Sequence, residues 1–332
     1  MSNPTKPQVA FYWCASCGGC EEAVVDLADG VLAVVDAVDI IFWPVALDFK
    51  RSDVEARPDG SIAVAFVNGA VRTSEQEEMA HLMRRKAQVL IAFGACSHLG
   101  GIPGLANLWD RKTIFRGSYS DPPSVVNPEG TLPQESWQED GRMTTLPAFR
   151  DTVRTLDQVV EVDYYIPGCP PTPKLLMDAV QAILTGALPP RGSVLAPDIA
   201  LCDQCHLKAT KPDRLLLTSF KRPHQVLIDP ETCLLAQGLL CLGPATRAGC
   251  EALCPSGNMP CSGCFGPTSR VHDVGAKLIS AVGSAFDASS PDAIEAVLST
   301  IPDPVGTFYR YSLPASRLRR KVSQAAPAEA AQ

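Results

Sequence analysis

The sequence predicts an α/β protein in which a mostly parallel, doubly wound sheet is followed by a loop-rich segment that carries many cysteines. Strand-like and helix-like runs alternate through the first half, and this alternation is typical of a parallel sheet with helices on its faces. A stretch that contains glycine and cysteine follows three of the predicted strands. The second half has eight cysteines between residues 202 and 264, with weak strand or helix periodicity.

The first half is predicted to contain strand–loop–helix units in which a cysteine loop lies between the strand and the helix. The predicted elements, in chain order, are a strand at 8–15, the loop SCGGC at 16–20, a helix at 20–38, a β-like run at 39–47, a strand at 87–93, the loop GACSHLGGIPG at 94–104, a strand at 159–166, the loop PGCPPTP at 167–173 and a helix at 174–184. Residues 111–150 are polar and contain five prolines, which indicates an irregular surface insertion.

Four cysteines are expected to meet at one edge of the predicted sheet, because sites in open α/β sheets form beyond the carboxyl ends of the strands. We name them the first thiol group: Cys17, Cys20, Cys96 and Cys169. Glycines in their loops let the backbone approach closely and offer N–H groups to cluster sulfurs. Four thiolates suit a [4Fe–4S] cluster or a zinc ion, and ligands from loops far apart in sequence favour the cluster. Cys14 is expected to lie on the strand as a buried residue without a ligand role.

The second half begins with a predicted linker at 188–197 and then carries two further sets of four cysteines. Dividing them in sequence order defines a second thiol group (Cys202, Cys205, Cys233, Cys241) and a third thiol group (Cys250, Cys254, Cys261, Cys264). Because this segment has few residues that can form a hydrophobic core, we expect bound metal to stabilise its fold, either as two iron–sulfur clusters or as two zinc ions. Residues 272–286 and 291–301 are predicted helices, and 321–332 a disordered tail.

Charge and hydropathy exclude several classes of function. A net charge of −7 argues against a nucleic-acid partner, which would need a basic face. No run of about 18 uncharged apolar residues is present, so no membrane-spanning helix and no direct membrane insertion are expected. The start of the chain lacks the features of a signal peptide. Thirteen cysteines in patterned groups suit a reducing compartment, and the expected location is cytoplasmic.

Three motifs in the first half carry a family likeness. CGGCEE at 17–22, GACSHLGGIPG at 94–104 and PGCPP at 167–171 resemble, in that order, the proximal-cluster motifs of [NiFe]-hydrogenase small subunits. Residues 233–267 closely resemble the C-terminal part of cytoplasmic group 3 small subunits. DPVGTFYRYSLPAS at 303–316 resembles the methyl-viologen-reducing type that works with heterodisulfide reductase.

The resemblance implies a flavodoxin-like domain at 1–190 that holds a proximal [4Fe–4S] cluster, and a cluster domain at 191–320 that holds a medial and a distal one. By this resemblance, the first thiol group corresponds to the ligands of the proximal cluster. The third thiol group corresponds to the ligands of the medial cluster, and the second thiol group to those of the distal cluster. In exported relatives the first distal ligand is a histidine and a Tat signal leads the chain. Cys202 and the absence of such a signal support the cytoplasmic branch. The nickel–iron centre belongs to the large subunit, so no catalytic residue is expected here.

The predicted function is therefore electron transfer through three [4Fe–4S] clusters. The partners that the resemblance implies are a [NiFe]-hydrogenase large subunit, or a homologue of it, and a heterodisulfide-reductase-like subunit with a [2Fe–2S] cluster or a flavin. Two alternatives stay open. In the first, this chain is the electron relay of a hydrogenase-derived complex whose large subunit has lost its nickel site. The cluster subunit of a quinone-reducing respiratory complex has a similar fold, but an adjacent cysteine pair that this sequence lacks.

Overall fold

The computed structural model describes residues 6–288 and 290–318, so the predicted tail at 321–332 lies outside the described residues. The strands of the described residues all lie in the part of the chain that ends at Val194, together with seven of the helices. In chain order these elements are β1 (Gln8–Trp13), α1 (Gly19–Val25), α2 (Gly30–Ala37), β2 (Asp39–Phe42), α3 (Arg51–Glu55), β3 (Ile62–Asn68), β4 (Val71–Thr73), α4 (Ser74–Lys86), β5 (Ala87–Phe93), α5 (Gly94–Leu99), α6 (Arg111–Tyr119), β6 (Ser136–Glu139), β7 (Arg142–Thr145), β8 (Phe149–Arg154), β9 (Tyr164–Ile166), α7 (Pro173–Thr185) and β10 (Ser193–Val194).

Six strands form one sheet in the order β10–β9–β5–β3–β1–β2, and every neighbouring pair is parallel. Helices cover both faces. Met79, Leu82 and Met83 of α4 pack in the core on one face, while α1 and α7 bury their apolar sides in a second core on the other. Both faces are covered because the strands are apolar at successive positions, as buried parallel strands are. The predicted doubly wound parallel sheet is confirmed.

The central strand of the sheet was not predicted from the sequence. β3 pairs with β1 on one side and β5 on the other, and most of its residues are buried. Its sequence, IAVAFVN, has the apolar and β-branched composition that predicts a strand, so the signal was present. The helix α4 was missed as well, although Thr73 caps its first turn by accepting a hydrogen bond from the Gln76 backbone at 3.3 Å.

Three local predictions were wrong. The helix expected at 20–38 is broken into α1 and α2 at residues 26–29, where Ala28 has a φ of +49°. The loop expected at 94–104 is mostly helical, with α5 followed by a 3₁₀ turn at Ile102–Leu108. The linker expected at 188–197 contains β10, which pairs with β9 as the edge strand of the sheet.

The insertion at 111–150 is exposed, as expected, but it is not irregular throughout. It contains α6 and the antiparallel hairpin of β6 and β7. Its last residues begin β8, which pairs with β4 and ties the insertion to the sheet domain. Two-residue turns with a residue of positive φ suit such hairpins, and Asp140 and Gly141 have φ values of +49° and +75°.

The second part of the chain has little regular structure among its described residues until position 274. Its helices are α8 (Leu253–Ser256), α9 (Val274–Gly283), α10 (Pro291–Leu298) and α11 (Pro304–Phe308). α9 and α10 confirm the two predicted helices, and with α11 they build a third apolar core. The expected domain boundary at 190/191 falls just before β10, so the sheet extends slightly past it. No helix of the described residues is long and apolar enough to cross a membrane.

Candidate metal centres

The first thiol group lies at the carboxyl edge of the parallel sheet. Cys17 and Cys20 follow β1, Cys96 lies in the first turn of α5 after β5, and Cys169 follows β9. These strands run in the same direction, so their carboxyl ends face the same side. The Ala95 N–H donates to the Gly168 carbonyl at 2.7 Å, which joins two of the loops directly. The fold therefore brings these loops together at one edge of the sheet, as the sequence predicted.

The four thiols influence one another electrostatically, which places them in one site. Burial raises the pKa of Cys96 to about 12, with smaller contributions from Cys169 and Cys17. Burial also raises the pKa of Cys20, followed by the effects of the other three thiols. Thiols with raised pKa values stay neutral unless a cation stabilises the thiolate form. Without such a cation the site is therefore poorly suited to free thiolate chemistry.

Two glycines make room for these sulfurs. A Cβ on Gly94 would overlap the Cys20 sulfur, and a Cβ on Gly101 would overlap the Cys96 sulfur. Both glycines have a left-handed φ, +84° and +58°. The backbone is thus drawn against the thiols at a separation that a side chain would prevent.

A buried polar chain supports the loop that carries Cys17 and Cys20. Asn68, at the end of β3, donates to the Glu21 carboxylate at 2.9 Å and accepts from the Ser16 hydroxyl at 2.7 Å. The Gly18 N–H donates to the Ser16 hydroxyl at 3.3 Å. Burial raises the pKa of Glu21, while hydrogen bonding with Trp43 and Asn68 opposes that rise. Asn68 was missed from the sequence, because its partner lies in a different strand–helix unit.

Cys14 is buried on the other face of the sheet from Cys20. It packs in the core that α4 covers, whereas Cys20 packs in the core that α1 and α7 cover. Burial raises the pKa of the Cys14 thiol. Its expected position on the strand is off by one residue, since β1 ends at Trp13.

Cys14→Ala is expected to keep the iron content of the purified protein unchanged and to cost only about 1 kcal/mol of stability. The substitution removes one buried sulfur from a packed core without touching the first thiol group. Iron analysis and thermal unfolding would check this, with Cys20→Ala as the matched variant that should lose iron. A loss of iron in Cys14→Ala comparable to that in Cys20→Ala would show that Cys14 is a ligand.

The second thiol group lines one cavity. Leu201, Leu207 and Gly243 complete its wall around the sulfurs of Cys202, Cys205, Cys233 and Cys241. Burial, followed by Cys241, raises the pKa of Cys202 to about 11. The sequential division of the eight cysteines predicted these four together, and the fold brings them together.

The third thiol group lies between the other two. Burial raises the pKa of Cys264 to about 12, with further contributions first from Cys250 and then from Cys169 of the first group. On the other side, the Cys261 N–H donates to the Cys241 sulfur of the second group at 3.3 Å. The groups thus follow one another in space as first, third and second, although the chain order is first, second and third.

Among the described residues, no group of three or more His, Cys, Asp or Glu side chains is arranged to hold a single metal ion. A cubane cluster spreads its four thiolate ligands over four iron atoms, whereas a zinc ion draws all four ligands to one point at about 2.3 Å.

Several residues around the thiols were not identified from the sequence or were left open. Trp43 is 7% exposed and belongs to the core, whereas Trp13 is 37% exposed beside the first group. His98 is half-buried and packs against the Tyr165 ring, with the ring centroids 4.6 Å apart. Arg247 is buried and joins the segments 196–198 and 266–267, and no sequence motif marked it.

Comparison with known proteins places this geometry among redox proteins. Residues 17–183 match the family described as NADH ubiquinone oxidoreductase, 20 Kd subunit. The chain is 40% identical over 321 residues to the iron–sulfur subunit of the F420-non-reducing hydrogenase of Archaeoglobus profundus, covering 95% of this chain and 98% of that one. It is 37% identical over 314 residues to a subunit of the vhu F420-non-reducing hydrogenase of Methanocaldococcus jannaschii, covering 95% and 97%.

Among solved structures, the [NiFeSe] hydrogenase from Desulfovibrio vulgaris Hildenborough aligns with a TM-score of 0.51 at 15% identity. The alignment covers 80% of this chain and 95% of the matched chain. At that identity the likeness concerns the fold alone, and it agrees with the α/β fold with a parallel sheet.

Proposed function

We propose that this chain, which belongs to the family of [NiFe]-hydrogenase small subunits of the F420-non-reducing type, relays electrons through three [4Fe–4S] clusters between a hydrogenase large subunit and a second redox partner. The chain is an oxidoreductase subunit of a hydrogenase. The observation that carries the finer proposal is the spatial succession of three groups of four thiols. Hydrogen would be split or formed at the nickel–iron site of the large subunit.

The residues present fit three clusters of this kind. The proximal cluster would be held by Cys17, Cys20, Cys96 and Cys169, the medial by Cys250, Cys254, Cys261 and Cys264, and the distal by Cys202, Cys205, Cys233 and Cys241. Each set supplies four thiols, the donor set that [4Fe–4S] clusters use. Gly94 and Gly101 leave the proximal sulfurs the room that a Cβ would fill. When bound, such clusters would accept and donate one electron at a time.

The remaining residues set the surroundings of the clusters. Leu201 and Leu207 wall the distal thiols with apolar groups, and Phe265, 1% exposed, packs beside Cys264 in the core under the sheet. Apolar walls exclude water and raise the free energy of added charge, which tunes reduction potentials. Backbone N–H groups such as that of Cys261 donate to thiol sulfurs and so lower the free energy of added charge.

The two partners would bind at opposite ends of the series of three clusters. Cys17 is exposed, and Trp13 beside it is partly exposed, so the proximal end offers an apolar surface for the large subunit. The distal end would face a heterodisulfide-reductase-like subunit with a [2Fe–2S] cluster or a flavin. The two-domain division at 190/191 and the cytoplasmic location remain parts of this proposal.

The chain in complex with its large subunit is expected to bind about twelve iron atoms, four for each of three cubane clusters. Anaerobic co-purification, followed by analysis for iron, nickel and zinc and by paramagnetic resonance, would measure this. Nickel in the complex distinguishes a working hydrogenase from a relative that has lost its nickel site. About four iron atoms per chain, with stoichiometric zinc, would contradict three clusters.

A further inference from the structure

The segment 309–316, which ends the last motif singled out in the sequence, packs against the loops of the first thiol group. It follows α11. A Cβ on Gly100 or on Gly104 would overlap the Pro314 ring, so the segment lies directly against the turn that follows α5. The Gln158 side chain donates to the Pro314 carbonyl at 2.8 Å. The segment is therefore anchored on the sheet domain at two points.

Tyr311 in this segment forms one hydrogen bond to each of two loops that carry thiols. Its carbonyl accepts from the Gly101 N–H at 3.0 Å, and Gly101 lies against the Cys96 sulfur of the first thiol group. Its hydroxyl lies 3.1 Å from the Ser262 hydroxyl, at hydrogen-bond distance. Ser262 directly follows Cys261 of the third thiol group. The backbone and the side chain of one residue thus join the two groups.

The Tyr311 hydroxyl also interacts electrostatically with one thiol of each group. Burial raises the pKa of this hydroxyl, the hydrogen bond with Ser262 opposes the rise, and the thiols of Cys264 and Cys169 add to it. These two cysteines are themselves neighbours, because the Cys169 backbone forms a hydrogen bond with the Cys264 thiol. The hydroxyl of Tyr311 therefore lies beside the junction of the first and third thiol groups.

We infer that Tyr311 is a positioning residue that fixes the separation of the first and third thiol groups and stabilises the reduced state of the clusters on both sides. This inference rests on the proposed function, since it needs these groups to hold the proximal and medial clusters. The Tyr311 and Ser262 hydroxyls carry two protons, and the hydrogen bond between them uses one. The other proton can turn toward the negative charge that reduction adds to a cluster, and such polar contacts raise the reduction potential.

Two variants break the same hydrogen bond from opposite sides. Tyr311→Phe removes only the phenolic hydroxyl, and Ser262→Ala removes only the serine hydroxyl. Ser262→Thr keeps a hydroxyl at that position, and Ser262 borders an open cavity that has room for the added methyl group. Tyr309→Phe is the matched control, because Tyr309 belongs to the same segment but its hydroxyl lies beside Asp273, which with burial raises its pKa.

Hydrogen–deuterium exchange of the Gly101 amide, in the anaerobic complex with the large subunit, measures the positioning role. Exchange is expected to be about tenfold faster in Tyr311→Phe and in Ser262→Ala, because the loss of the bond loosens the segment that the amide donates to. The double variant should exchange no faster than the faster single variant, since both substitutions remove one and the same bond. Ser262→Thr and Tyr309→Phe should stay within about threefold of wild type.

Redox titration followed by paramagnetic resonance measures the effect on the reduced state, which a purely structural contact would leave unchanged. At a given solution potential, the ratio of reduced to oxidised cluster is expected to fall about threefold to tenfold at the proximal and medial sites in Tyr311→Phe. The distal site in this variant, and all three sites in Tyr309→Phe, should titrate as in the wild type.

The inference is overturned if the proximal and medial clusters titrate in Tyr311→Phe as they do in Tyr309→Phe. It is also overturned if the Gly101 amide exchanges at the wild-type rate in both Tyr311→Phe and Ser262→Ala. A wild-type complex without a cluster at the first or the third thiol group would instead contradict the proposed function. The iron content and the resonance signals of the wild-type complex therefore distinguish the two failures.

Discussion

Gly94→Ala is expected to abolish the proximal cluster and to lower hydrogen-dependent dye reduction by at least about a hundredfold. An alanine Cβ at this position would overlap the Cys20 sulfur and lie 3.5 Å from the Gly168 carbonyl oxygen. The Cys20 thiol would have to move, and the contact between the loops that carry Cys96 and Cys169 would open. About four of about twelve iron atoms should be lost, as measured by iron analysis of the anaerobically purified complex.

Gly60→Ala is the matched control for backbone strain. Gly60 also has a left-handed φ, +69°, but a Cβ there would meet nothing within 4 Å. Both substitutions carry the cost of an alanine at positive φ, roughly 1–3 kcal/mol. Only Gly94→Ala adds the overlap with a thiol, so full iron content in Gly94→Ala would show that Cys20 is not a ligand in the arrangement described.

Arg247→Met is expected to loosen the contact between residues 196–198 and residues 266–267 by about 3 kcal/mol. Arg247 is 4% exposed and donates to the carbonyls of Pro267, Ala196 and Pro197 at 2.8, 3.2 and 3.2 Å. Its guanidinium also pairs with Asp198 at 2.9 Å. Methionine fills a similar volume but leaves three carbonyls without this donor, at about 1 kcal/mol each.

Hydrogen–deuterium exchange measures this effect where it arises. Three kcal/mol corresponds to about a hundredfold faster exchange if opening of this contact exposes the amides. The backbone N–H of Arg247, which donates to Gly266, and that of Ala248, which donates to Ile199, are the reporters. Arg150→Met is the control, because its ion pair with Glu77 is on the surface and contributes at most about 1 kcal/mol. If these amides exchange at the same rate in Arg247→Met as in Arg150→Met, Arg247 does not join the segments 196–198 and 266–267.

The architecture of the first half was largely accessible from the sequence. The strand at 87–93 and the helices at 174–184, 272–286 and 291–301 were predicted close to their observed bounds. These segments have strong local signals, because buried parallel strands are apolar throughout and helices repeat their apolar residues at a fixed interval. The rule that parallel strands present their loops at one edge then predicted that Cys17, Cys20, Cys96 and Cys169 meet.

Local signals failed where a tertiary contact overrides them. The run at 20–38 is apolar enough for one helix, yet it breaks near Ala28, and only Val34 and Ala37 of α2 pack, half-buried, against the core that α1 enters. The segment at 188–197 is rich in proline and glycine, and only pairing with β9 makes Ser193 and Val194 a strand. Short edge strands of this kind have almost no sequence signal of their own.

The sequence by itself determined which chemistry this chain is built for: twelve of its cysteines fall into three ordered groups, each following a pattern that suits a cluster with four thiolate ligands. Only the tertiary structure decided how the groups are ordered in space, because the contacts of Cys169 with Cys264 and of Cys241 with Cys261 join residues far apart in the chain. It also decided the roles of Asn68 and Arg247. Their partners are set by packing between elements, and packing between distant segments leaves no local pattern in the sequence.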